Sequence, residues 1–136
     1  MTLPGDEPIA VLNLFKFNLV AQYQAEDPEY GTPAAEISGA EAYQKYSAEA
    51  GPPIYALGGR LHVSTAVDQV AIGPPDKSWD MVGILVFPSR QAFIDMMDDP
   101  KFQTASRHRK AALADHFMLH LQGDPFLALM GGYGDA

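Results

Sequence analysis

The chain has 136 residues, 47% of them hydrophobic, a size and composition that suit one globular domain with its own core. Its 9 Lys and Arg against 17 Asp and Glu give a formal charge of −8, which disfavours nucleic acid and anionic membrane surfaces as partners. The absence of cysteine excludes disulfides, thiol catalysis and thiolate metal sites, and no apolar run approaches the ~20 residues of a membrane helix.

The opening MTLPGDEPIA is acidic and broken by Pro4 and Pro8. It has neither the basic nor the apolar region of a signal peptide, so a cytoplasmic protein is expected. PIAVLNLFKF (8–17) alternates and is rich in Val, Leu and Phe, which predicts the first strand. Residues 18–37 have no period, are acidic and contain Pro28 and Pro33. They predict a loop of about 20 residues, a length found in lids and binding loops and equally in disordered insertions.

Ser38 followed by Glu41 is a capping box that starts the first helix. Gly51 suits the position just past its end, and Pro52 and Pro53 are expected to forbid continuation. Ala42, Tyr43, Tyr46 and Ala50 share one face. IYALGGRLHVSTAV (54–67) predicts a long second strand, bent or bulged at Gly58 and Gly59. IGPPDKS (72–78) is a turn, and WDMVGILVF (79–87) predicts the third strand, stopped by Pro88.

Ser89 is the expected cap of the second helical region, with Phe93, Met96 and Met97 as its apolar face. Asp99 and Pro100 predict a break and a fresh start. DHFMLHLQ (115–122) predicts the last strand. The tail, 123–136, has an apolar centre and a glycine-rich end, which suits either a docking segment or a frayed terminus. The core is thus expected over about residues 9–121 of one domain.

This strand and helix order is the split βαβ, ferredoxin-like α+β arrangement. It predicts a four-stranded antiparallel sheet of spatial order 4-1-3-2 with both helices on one face. The other face should then be polar. Yet the third strand is largely apolar on both parities, with Val82, Ile84 and Val86 on one and Trp79, Met81, Leu85 and Phe87 on the other. Each large apolar side chain left in water forgoes roughly 1.5–3 kcal/mol, so a cover is needed. A second copy is the simplest, which predicts a homodimer of the α+β barrel kind.

Four blocks carry a resemblance: VLNLFKF, SGAEAYQKY, GGR, and WDMVGILVFPSRQAFIDMMDDPKFQTASRHRKAALAD. In this order, over about residues 9–121, they resemble the family designated domain of unknown function 1330, within the dimeric α+β barrel superfamily. The resemblance implies the fold and a dimer. It implies no reaction and no cofactor, because the superfamily spans cofactor-free monooxygenases, isomerases, lyases and non-catalytic proteins.

His62, His116 and His120 invite a metal reading, which spacing opposes. Positions 116 and 120 on one strand lie about 13 Å apart, and the second and last strands are about 14 Å apart, too far for one ion. No metal is expected. A Ser64, His62, Asp68 triad fails for want of a nucleophile elbow, and GGYG opens no helix, so it is no phosphate loop.

Arg109 falls on the helix face of Phe102, Ala105 and Ala112 and matches the arginine of the family block. Buried there, it needs a carboxylate such as Asp80 or a bound anion. Asn13, between Leu12 and Leu14, needs a polar partner. Tyr43 and Tyr46 would need hydroxyl partners if buried. With Arg60, Trp79 and Asp80 these residues form the expected ligand site, and His62 is the expected acid or base because histidine titrates near neutrality. Either a small-molecule pocket or a wet subunit interface fits this set. The expected function is a cofactor-independent enzyme on a small aromatic or carboxylate-bearing metabolite held in a dimer cavity, or a non-catalytic small-ligand-binding or structural dimer.

Overall fold

A computed structural model describes residues 6–122, so the tail expectation for 123–136 lies outside the described residues. Strand β1 (Ile9–Phe17) is followed by a long excursion containing a short 3₁₀ turn, Pro33–Ala35. Helix α1 (Gly39–Ala56), strands β2 (Arg60–Ala66) and β3 (Met81–Phe87), helices α2 (Arg90–Asp98) and α3 (Pro100–Ala112), and strand β4 (Leu113–Gln122) complete the order. The strands form one antiparallel sheet in the order β2-β3-β1-β4, the ferredoxin-like α+β arrangement.

The capping signals act where the sequence puts them. The Ser38 hydroxyl accepts from the Glu41 N–H at 3.0 Å, and the Glu41 carboxylate accepts from the Ser38 N–H at 3.2 Å. Ser89 caps α2 through the Ala92 N–H. Asp99 accepts from the N–H groups of Lys101 and Phe102, with Pro100 in the first turn, and so begins α3 as a separate helix.

Two expectations fail between residues 51 and 67. Helix α1 does not stop at Gly51 but runs through Pro52 and Pro53 to Ala56. The prolines remove donors to the carbonyls of Ala48 and Glu49, both on exposed residues where water can replace them. Meanwhile Pro53 and Ile54 are buried, Ile54 within the main core. The strand therefore starts only at Arg60. Gly58, at φ +89°, makes the turn between helix and strand, a conformation that favours glycine. The irregularity in β2 falls instead between Leu61 and Val63, at His62.

The loop of residues 18–37 is strapped onto the helices. The Asn18 N–H donates to the Ala112 carbonyl at 2.8 Å, the Gln22 N–H to Ala111 at 2.9 Å, and the Ala21 N–H to Ile37 at 2.8 Å. Ala21 and Tyr23 bury their side chains with Ala42, Ala111 and Ala112 in a second small core. Gly39 sits where these segments meet, and any side chain there would collide with the carbonyls of Asn18 and Ala112.

The main core joins Ile9, Val11 and Phe87 of the sheet to Ile54, Met96 and Phe102 of the helices. The register pairs Leu12 with Ile84 and Leu119, Leu14 with Val82 and Phe117, and Val63 with Ile84. Partners across strands point to one side, so these apolar residues form the sheet face away from the helices. Phe117 is 51% exposed, Leu119 40% and Val63 40%. On the same face Ala10 and Val86 are buried, so the exposed apolar patch is confined to the rest of it.

Candidate functional site

A cavity of about 250 Å³ lies between the inner face of the sheet and the helices. Alternation on β1 sends Val11, Asn13 and Phe15 into it, and β4 contributes His116 and Met118. Tyr43 and Tyr46 enter from α1, Phe93 and Met96 from α2, and Phe102 and Arg109 from α3. Among the described residues, Arg109 is the one charged side chain in a lining that is otherwise mostly apolar.

The polar groups converge at one end. The Nε2–H of His116 donates to Oδ1 of buried Asn13 at 2.9 Å, because a carboxamide oxygen can only accept. This bond selects the tautomer of the neutral ring and leaves Nδ1 as the lone-pair nitrogen. Phe15 stacks on the imidazole with centroids 4.8 Å apart and also meets Tyr43 at 4.9 Å. Tyr43 in turn contacts Tyr46 at 5.4 Å. The pKa of His116 is pushed below its ordinary value, first by burial and then by the positive charge of Arg109, against a smaller opposing pull from Asp115. Burial raises the pKa of both Tyr43 and Tyr46, so their hydroxyls stay protonated donors at neutral pH.

Arg109 is left without a counter-ion. Its Nε is buried and has no hydrogen-bond partner among the described residues. None of the ion pairs among those residues includes it. Its guanidinium carbon lies 5.9 Å from the centre of the Tyr46 ring, the contact of a cation over an aromatic face.

Of the residues singled out in the sequence, the cavity unites Asn13, Tyr43, Tyr46 and Arg109. It does not receive the others. His62 is exposed at the irregularity of β2 and outside the lining. Arg60 lays its guanidinium 3.5 Å over the Tyr55 ring and donates to the carbonyls of Tyr55 and Gly59. Asp80 accepts from the Phe17 N–H at 2.8 Å, and none of the ion pairs among the described residues joins it to Arg109. Trp79 meets Phe117, centroids 6.4 Å apart, on the outer sheet face. His116, weighed in the sequence only as a metal ligand, lies in the cavity. Its signal was the unpaired Asn13, whose only accessible partners in an apolar layer are few.

A family profile described as domain of unknown function (DUF1330) matches residues 30–121. The chain belongs to this DUF1330 family. The crystal structure of RPA0582, a protein of unknown function from Rhodopseudomonas palustris, is 35% identical, with a TM-score of 0.75 over 88% of this chain and 84% of that one. A dimeric ferredoxin-like protein of unknown function from Thermobifida fusca is 15% identical at TM-score 0.53, covering 85% of this chain and 91% of its own. The hydroxynitrile lyase of Passiflora edulis is 11% identical at TM-score 0.53, covering 88% and 96%. These last two likenesses concern the fold alone. No curated protein matches the chain. Among the described residues, no helix is long and apolar enough to cross a membrane, and no cluster of three or more His, Asp or Glu is arranged to hold a metal ion.

Proposed function

We propose that this DUF1330 protein is a cofactor-independent enzyme acting on a small aromatic or carboxylate-bearing metabolite bound between sheet and helices. His116 takes the role of acid or base expected of His62, Asn13 orients it, and Tyr43, Tyr46 and Arg109 contact the ligand. The carrying observation is the Asn13–His116 hydrogen bond beside an unpaired Arg109 in an apolar cavity. A ring held neutral by burial, with one nitrogen fixed, is suited to accept a proton at the other. The test is His116→Gln, which keeps a hydrogen-bonding group toward Asn13 but cannot shuttle protons. Turnover of a substrate found by metabolite screening should fall by at least ~100-fold with ligand affinity retained. Unchanged turnover removes His116 as the catalyst.

The second reading, a non-catalytic ligand-binding protein, draws on the same bond, which already engages one His116 nitrogen. It predicts ligands that stabilise the protein and are recovered unaltered.

The apolar outer sheet face supports a homodimer. Leu12, Leu14, Val82 and Ile84 are contiguous with the exposed Phe117 and Leu119, a patch of the kind monomers rarely leave in water. Light scattering at micromolar concentration should give twice the chain mass, and Ile84→Lys should halve it. A wild-type monomer under those conditions overturns the dimer.

A further inference from the structure

The cavity carries a charge count. Arg109 supplies one positive charge, and burial favours the uncharged form of His116. Among the described residues no acidic side chain lines the space, although the whole chain is acidic at −8. Arg109 is half-buried, and its Nε, which is buried, meets neither a carboxylate nor a carbonyl among the described residues. One negative charge on a ligand restores balance. A second, as on a phosphate monoester or a dicarboxylate, would lie uncompensated in the same apolar space. The planar guanidinium also matches the two oxygens of a carboxylate.

Size and shape narrow the class further. At the roughly 30 Å³ that a water occupies in the liquid, the cavity equals on the order of eight waters, room for at least about ten bonded non-hydrogen atoms, since it opens past the exposed Tyr55, Leu61 and Met97. Its walls around Arg109 are aromatic: Phe15, Tyr43, Tyr46 and Phe102. Such walls favour a flat ring, in stacked or edge-to-face contact.

Resting on the reading of this cavity as the functional site, we propose that its ligand is an aryl monocarboxylate of at least about ten non-hydrogen atoms, with the carboxylate on Arg109 and the ring against the Phe15, Tyr43 and Tyr46 cluster. The anion is held by charge and geometry, the ring by apolar burial. Neutral and doubly charged analogues of the same outline are discriminated against.

The probes are phenylacetate, phenylacetamide and phenyl phosphate, titrated calorimetrically into the full-length protein. Phenylacetate should bind at least ~10-fold more tightly than either analogue. Arg109→Met should lose that preference by weakening phenylacetate alone, and Arg109→Lys should retain part of it. The melting temperature of Arg109→Met should equal or exceed that of the wild type, so loss of binding cannot be ascribed to unfolding. Equal affinity for the acid and the amide, tighter binding of the phosphate, unaltered affinity in Arg109→Met, or no binding of phenylacetate each overturns the proposal. Failure of the catalytic reading is separate. If His116→Gln leaves turnover intact while Arg109→Met abolishes phenylacetate binding, the monocarboxylate site stands without its catalyst. If His116→Gln abolishes turnover of a neutral substrate that Arg109→Met still binds, the catalyst stands without the monocarboxylate.

Discussion

Helix α3 carries two arginines two residues apart, and their surroundings are opposite. Arg107 engages all three of its nitrogens: its Nε and Nη2 donate to the two oxygens of Glu29 at 2.9 and 3.0 Å, and its Nη1 donates to Glu49 at 3.2 Å and to the Thr104 carbonyl at 2.7 Å. Neighbouring His108, almost fully buried, donates from Nε2 to Glu49 at 3.1 Å and shares a 2.6 Å hydrogen bond with the Tyr23 hydroxyl. This network ties the 18–37 loop to α1 and α3. Arg109, on the adjoining face, has no such partners. A closed set of charges has nothing left to offer a ligand and serves the fold. An open one is costly to the fold unless something else completes it. The difference separates a clamp from a site on one helix.

The largest effect should come from breaking the clamp. Arg107→Leu leaves Glu29, whose side chain is only 13% exposed, as an uncompensated carboxylate under the loop. Removing one partner of a well-buried ion pair typically costs 3–5 kcal/mol, and the partial exposure here lowers the expectation to about 2–4 kcal/mol. Chemical denaturation should read this directly. Arg109→Met is the counterpart, and it should be neutral or stabilising in the absence of ligand. If both variants lose stability equally, the contrast between clamp and site is gone.

Much of this was legible in the sequence for local reasons. Caps are short-range chemistry, so Ser38 with Glu41, and Asp99 with Pro100, announced their helices. The two-faced apolar strand announced a sheet with one face needing a cover. The site was harder because it depends on parity. Unbroken alternation through β2 would put Arg60, His62 and Ser64 on one face. The register shift between Leu61 and Val63 breaks it, pairing Arg60 with Val86 but Ser64 with Gly83, which face opposite sides. Leu61 reaches the cavity and His62 does not. Likewise Pro52 and Pro53 forbid a helix only if their lost hydrogen bonds go unmet, and exposure of that turn lets water meet them. Burial of Tyr23 under a loop without apolar period could not be foreseen, because its hydrogen bond to His108 spans 85 positions of chain.

The smallest expected effect, and the one that probes both regions in a single experiment, is the acid dependence of stability. His116 has a folded pKa lowered from 6.5 by burial and by Arg109. The unfolded chain therefore takes up the proton first as pH falls. This contribution is whole above about pH 6.5 and is lost as pH falls from there through the folded value. His120, lowered by burial and by Arg90, adds to the same stage. Glu29 is lowered from 4.5, chiefly by its hydrogen bonds with Arg107, so its contribution is whole above 4.5 and lost below it. Denaturation midpoints plotted against pH should fall in two stages. Arg107→Leu should shrink the lower stage, leaving the share of Asp115, which its hydrogen bond with Lys77 holds below 3.8, and should leave the upper stage. Arg109→Met should shrink the upper stage without erasing it, since burial, the larger cause, remains. A lower stage unmoved by Arg107→Leu would deny the clamp its electrostatic basis. An upper stage unmoved by Arg109→Met would mean that Arg109 exerts no field at His116, and a carboxylate docked on Arg109 would then have no electrostatic route to the catalytic ring.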